Sequence, residues 1–272
     1  MPKRISDANS TPIKVVFVTM DDHLSGAVDR ARIMLRKDYP GLTLVLHAAA
    51  EWAEDGALAR CRADIETADI LIVTMLFMED HFLPVLPALQ ARRSQCDAMV
   101  CLMSASEVTR LTRMGRFDMS GPVSGPMALL RKLRGKPATD ADTTPQDRNN
   151  AGARQMKMLR RLPKLLRFIP GTAQDVRSYF LVLQYWLAGS EENIASLVQL
   201  LVNGYADGER KPLRGKAPAD APIDYPDVGL YHPRMKGSGV HKGMSDRLER
   251  VPAIAGSTGT VGLLLMRSYL LA

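Results

Sequence analysis

An α/β fold is what this sequence predicts, with a doubly wound parallel sheet first, a helical segment after it and a return to sheet. Three observations carry the prediction. Strand-like and helix-like stretches alternate strictly over the first hundred residues. The strand-like stretches are compact runs of β-branched and apolar residues, suited to strands buried on both faces. From residue 152 onward the apolar spacing turns helical.

Residues 13–19 (IKVVFVT) form the first such run. Residues 25–39 follow with Ala27, Val28, Ala31, Met34 and Leu35 at helical spacing, and Pro40-Gly41 supplies a stop. Residues 42–47 read as a second strand, 55–67 as a helix, 69–75 (DILIVTM) as a third strand, 82–93 as a helix and 98–103 (AMVCLM) as a fourth strand. Such succession implies right-handed parallel crossovers, with helices on both faces of the sheet. The natural product is a flavodoxin-like domain over residues 1–120.

Residues 121–222 read differently, as a basic helical segment. Residues 126–133 suit a short amphipathic helix between Pro126 and Gly135. Residues 136–153 hold almost no large apolar side chain and read as a flexible loop. Residues 152–169 have a helical pattern that Pro163 should kink or divide. Residues 173–187 and 191–205 read as a helical pair with Ser190 as the N-cap of the second. Residues 208–222 look like a linker. Residues 223–272 read as the start of a further α/β region, with a short strand at 228–231, a basic polar connection at 236–250 and an apolar strand at 259–271. The apolar ending Leu-Leu-Ala is expected to be a truncation.

The bulk numbers exclude several classes. With 46% hydrophobic and 24% charged residues in 272, the chain has the composition of a soluble globular protein, neither fibrous nor disordered. Residues 1–12 lack the apolar stretch of a secretory signal. Three cysteines form no CxxC pair, so a cytoplasmic location is expected. The net charge of +7 is concentrated: residues 110–168 carry 14 Lys and Arg against 4 Asp. A regional excess of this kind points to a surface with a partner.

Several long segments carry a family resemblance: VTMDDHLSGAVDRAR (18–32), ADILIVTMLFMEDH (68–81), CDAMVCLMSASEVTRLTRMGRFDM (96–119), MLRRLPKLLRFIPGTAQDVRSYFLVLQYWLAGSEEN (158–193) and YPDVGLYHPR (225–234). In order and spacing they resemble the start of the large, porphyrin-binding subunit of the magnesium chelatase family of bacteriochlorophyll-making bacteria. The resemblance implies insertion of Mg2+ into protoporphyrin IX, with ATP hydrolysed by partner AAA+ subunits and no permanently bound cofactor. It also implies that this stretch alone is inactive, because the residues usually proposed for insertion lie further along the family's sequence. The cobaltochelatase large subunit is a weaker match, and a non-catalytic docking module is the competing function.

Metal insertion requires a base, oxygen ligands and a dry pocket, because two pyrrole N–H protons must leave and Mg2+ sheds water reluctantly. Open α/β sheets bind ligands beyond the carboxyl ends of their strands. Candidates for a porphyrin or metal crevice are therefore Asp22 and His23 after the first strand, Glu79 and His81 after the third, and Ser104 and Glu107 after the fourth. The alternative is that Asp80 and Ser104 merely cap helices. A second set is Arg154, Lys157, Arg160, Arg161, Lys164 and Arg167, six cations without an acid. These suit an acidic partner subunit, an anionic membrane surface or porphyrin propionates. Nucleic acid is not expected, since no aromatic residue interleaves them before Phe168. The cluster Tyr179, Phe180, Tyr185 and Trp186 reads as core. The glycines around 256–262 make only a weak phosphate-loop pattern.

Overall fold

The computed structural model describes residues 11–121, 163, 166–167, 169–226, 228–237, 240–252 and 263–265. The expected helices at 126–133 and 152–169, the loop at 136–153, the strand at 259–271 and the glycines at 256–262 lie wholly or mostly outside these residues.

Four parallel strands form the centre: β1 (Ile13–Thr19), β2 (Leu42–Ala48), β3 (Ile70–Thr74) and β4 (Ala98–Leu102). All four stand where the sequence places them, within a residue at each end. Two short antiparallel strands, β5 (Arg113–Met114) and β6 (Phe117–Asp118), extend the sheet to the order β2-β1-β3-β4-β5-β6. The sequence pattern does not announce β5 and β6. Each is two residues long, too short for a period-2 signal, and they turn on Gly115 at a φ of 59°, a value that favours glycine.

Among the described residues the helices are α1 (Ser25–Leu35), α2 (Ala57–Thr67), α3 (Glu79–Phe82), α4 (Leu86–Arg92), α5 (Ser106–Thr109), α6 (Thr172–Ala188) and α7 (Glu191–Tyr205). α1 ends at Leu35, short of the expected 39, because Tyr39 N–H donates back to Leu35 O in a closing turn. The single helix expected at 82–93 is two helices on either side of Pro84, where the ring removes a helical donor. Ser190 caps α7, its hydroxyl accepting from Asn193 N–H as predicted.

Strand alternation divides the core in two. Val15, Phe17, Ile70, Ile72, Val100 and Leu102 face α1, α6 and α7. Val16, Val18, Leu71, Val73, Met99 and Cys101 face α2, α4 and α5. The sheet is thus a middle layer, and its strands have to be apolar on both sides, which is why they read as continuous apolar runs. Tyr185 and Trp186 are each 2% exposed, and Trp186 stacks on Phe17 with ring centroids 5.7 Å apart. The aromatic cluster is core, as expected.

The amino edge of the sheet is held by charge. Asp69 and Asp97 precede β3 and β4, and Arg210 reaches both, at 2.8 and 2.9 Å to Asp97 and 3.2 Å to Asp69. Arg210 belongs to a 3-10 turn, Gly208–Leu213, inside a stretch expected to be a linker. The stretch is structured for a physical reason: a buried carboxylate such as Asp97 needs a cation, and Arg210 delivers it. Further on, β7 (Leu230–Tyr231) and β8 (Met244–Ser245) make a small hairpin, tied to the start of α7 by Lys242 against Glu191 and, at 3.2 Å, Glu192. The strand expected at 228–231 is reduced to its last two residues, and the polar connection at 236–250 contains β8.

Candidate functional site

The opposite, carboxyl edge carries the predicted crevice residues. The chain leaves β1 through Met20–Leu24, β2 through Ala49–Gly56, β3 through Met75–Met78 and β4 through Met103–Ala105. These exits join in pairs. Ala50 N–H donates to Met20 O at 2.9 Å, linking the β2 and β1 exits. Leu76 N–H donates to the Ser104 hydroxyl at 3.1 Å and Ala105 N–H to Leu76 O at 2.9 Å, linking the β3 and β4 exits.

Ser104 therefore does not cap a helix. Its hydroxyl also donates to Leu102 O at 2.9 Å, so it closes the corner between two strand ends. Asp80 does not cap either: the N-cap position of α3 is Met78, and no side chain bonds there. Both exits contain a residue with positive φ, Met75 at 61° and Met103 at 42°. For an unbranched non-glycine side chain that conformation is uncommon and strained, and such residues gather at functional sites.

The six candidates do not converge on one point. Asp22, Glu79 and Glu107 are exposed. His23 is partly buried, its Nδ1 against Asp21 Oδ1 and its ring edge-on to Trp186 at 6.3 Å. A carboxylate on Nδ1 fixes the ring and leaves Nε2 to act outward, the arrangement of an oriented base. His81 sits on α3, half-buried, with no partner for Nδ1 among the described residues. Glu107 is held below the usual glutamate range by its own backbone N–H and by the Ser106 hydroxyl, at 3.1 Å. Among the described residues no three His, Cys, Asp or Glu side chains approach closely enough to hold a metal ion. Of the basic set, Arg167 alone is described, and Arg154, Lys157, Arg160, Arg161 and Lys164 lie outside the described residues.

Two features of this edge escape sequence reasoning. First, the exits and the helix starts that follow them hold Asp21, Asp22, Glu51, Glu54, Asp55, Glu79, Asp80 and Glu107 against the cation Arg60, whose guanidinium donates to Asp55 O at 3.3 Å, although the chain as a whole is basic. Part of this is the ordinary preference for acids at helix N-termini. The result is a local excess of carboxylates over cations among these residues. Second, buried polar atoms without a partner among the described residues stand at this edge: Thr19 Oγ1 and Thr74 Oγ1 on one face, Trp52 Nε1 and His81 Nδ1 by the loops of the other. A signal was present, for both strands end in Val-Thr-Met, at 18–20 and 73–75. That the repeats lie side by side depends on strand order. Phe77 and Met78, each 55% exposed, follow directly.

A mixed, mostly parallel six-stranded sheet between two helical layers, with its polar loops at the carboxyl edge, defines an α/β protein. The chain belongs to the family described as a domain of unknown function (DUF3479), whose model matches residues 14–180, and residues 183–272 match the family CobN/Magnesium Chelatase. It is 44% identical, over its whole length, to the magnesium-chelatase H subunit of Cereibacter sphaeroides, covering 22% of that protein. Over 95% of its length it is 45% identical to the magnesium-chelatase H subunit of Rhodobacter capsulatus and 28% identical to the chloroplastic magnesium-chelatase ChlH subunit of Oryza sativa subsp. indica, covering 20% and 18% of those proteins. The chain thus spans about a fifth of the length of the curated relatives it matches. No helix among the described residues is long and apolar enough to cross a membrane.

Proposed function

We propose that this chain serves as part of the porphyrin-binding large subunit of a magnesium chelatase, in which Mg2+ enters protoporphyrin IX on the way to bacteriochlorophyll. The observation that carries the reading is 44% identity over the full 272 residues to a relative named for that subunit. Both substrates belong to the whole subunit. The stretch holds no permanent cofactor, and ATP is hydrolysed by AAA+ partner subunits in the cytoplasm. The charge excess of residues 110–168 supports docking of those subunits or peripheral contact with an anionic membrane. The order β2-β1-β3-β4 supports a flavodoxin-like winding for the first part of the chain.

The edge has one chemical implication for the reaction. A base that takes a pyrrole proton must be oriented and uncharged, and His23 held by Asp21 meets the first condition. The acidic surroundings disfavour propionate binding at this edge, so the carboxylates of the porphyrin belong elsewhere in the large subunit. The test is a chimaera in which this chain replaces the matching stretch of the Cereibacter sphaeroides protein. Mg-protoporphyrin fluorescence appearing with ATP and partner subunits is the expected result. A folded chimaera that binds porphyrin and partners yet makes no product would overturn the assignment.

A further inference from the structure

We propose that the Thr19 and Thr74 hydroxyls hold one enclosed water molecule between them, which couples the chain exits of β1 and β3. Val18 pairs with Val73, so Thr19 and Thr74 follow side by side on adjacent strands. Strand alternation turns both onto the face of Phe17 and Ile72. Each residue is 0% exposed, and neither hydroxyl meets a hydrogen-bond partner among the described residues. Two buried hydroxyls that no protein group serves are a costly arrangement, and native proteins rarely leave one unsatisfied.

The neighbours select the ligand. In the register of the sheet Thr19 lies beside Ala48, and Thr74 beside Leu102. All of these flanking side chains are apolar, so an ion placed there would lose its hydration without compensation. A neutral oxygen that both donates and accepts satisfies two hydroxyls at once, and a buried water of this kind is a structural component. The position is the gap between β1 and β3, where the connections of the parallel sheet diverge to opposite sides. From it leave the Asp21-His23 loop and the strained Met75. One water shared by the two strand ends makes these loops move as a unit.

The experiment is carried out on the 272-residue chain. Water-to-protein cross-relaxation should reach the methyl groups of both Thr19 and Thr74, with a residence time set by opening of the fold. In T19V or T74V alone, amide exchange should quicken by about tenfold at both Ala50, which bonds Met20 O at the β1 exit, and Met75, which leaves β3 bonded to Leu102 O. The double variant should be no faster than the faster single one, because no hydroxyl remains in want of a partner. T19S and T74S, which keep the hydroxyl, should exchange like the parent. Absence of cross-relaxation in the parent chain overturns the proposal. So do effects confined to the exit of the substituted strand, or rates that multiply in the double variant.

Discussion

The Ser104 hydroxyl accepts a hydrogen bond from the Leu76 N–H at 3.1 Å, across 28 residues of chain, and so closes the corner where β3 and β4 deliver their loops. Replacing it leaves a partly buried N–H with no acceptor. Ser104→Ala should lower unfolding stability by about 1–2 kcal/mol and quicken exchange of the Leu76 amide. Chemical denaturation with residue-resolved exchange checks this. Unchanged protection at Leu76 would show that the corner is held by backbone alone.

Arg210 is the cation for two carboxylates at the other edge, with the Asp97 side chain 6% exposed and that of Asp69 14% exposed. Arg210→Ala strands them side by side and should cost about 3–5 kcal/mol at neutral pH. The loss should shrink in R210A/D97N, where one buried charge is gone. Thermal melts of the three proteins measure it, and equal losses in both variants would contradict the charge argument.

Acid should loosen the fold through two aspartates. Burial pushes the Asp118 carboxyl up, but hydrogen bonds from Ser120 and Arg93 outweigh it and hold the group at about 2. Burial likewise opposes, and Lys14 at 2.6 Å and His47 at 2.7 Å overcome, to keep Asp64 below its ordinary value. A depressed carboxylate stabilises above its unfolded pKa, about 3.9, and the contribution is lost as pH falls through the folded value. The melting advantage of the parent over D64N and D118N should therefore be full at pH 6 and narrow between about pH 4 and pH 2. An advantage that stays constant over that window would rule the ion pairs out as its source.

The exposed acids offer a clean functional test. Asp22, Glu79 and Glu107 stand in solvent, so substitution to Ala should leave the thermal transition where it is. If the carboxyl edge takes part in metal insertion, the triple variant within the full-length protein should lose chelatase activity with its fold intact. Unchanged kinetics would assign the edge's acidity to helix starts alone.

Phe17 and Trp186 test the join between sheet and helix layer. Phe17→Ala removes a ring that is 0% exposed and stacked on Trp186, and should cost about 3–5 kcal/mol. Trp186 emission should shift to the red as water reaches it. An unshifted spectrum would place the stack outside the stabilising core.

How much of this was legible is a matter of range. Residues 13–19 and 70–74 declare themselves as strands because burial on both faces demands unbroken apolar runs, and Ser190 declares a helix start because its hydroxyl serves an amide three residues on. The division of the helix around Pro84 and the early end of α1 are local effects that propensity alone understates. By itself, then, the sequence determined the α/β class, the four parallel strands, the aromatic core and the position of each crevice candidate beyond a strand end. Only the tertiary structure decided which strand ends are neighbours: Thr19 beside Thr74, Leu76 against Ser104, and Arg210 on Asp97 at a separation of 113 residues. Local periodicity records whether a residue is buried, but not what it is buried against. That depends on strand order, which is settled by the packing of whole layers.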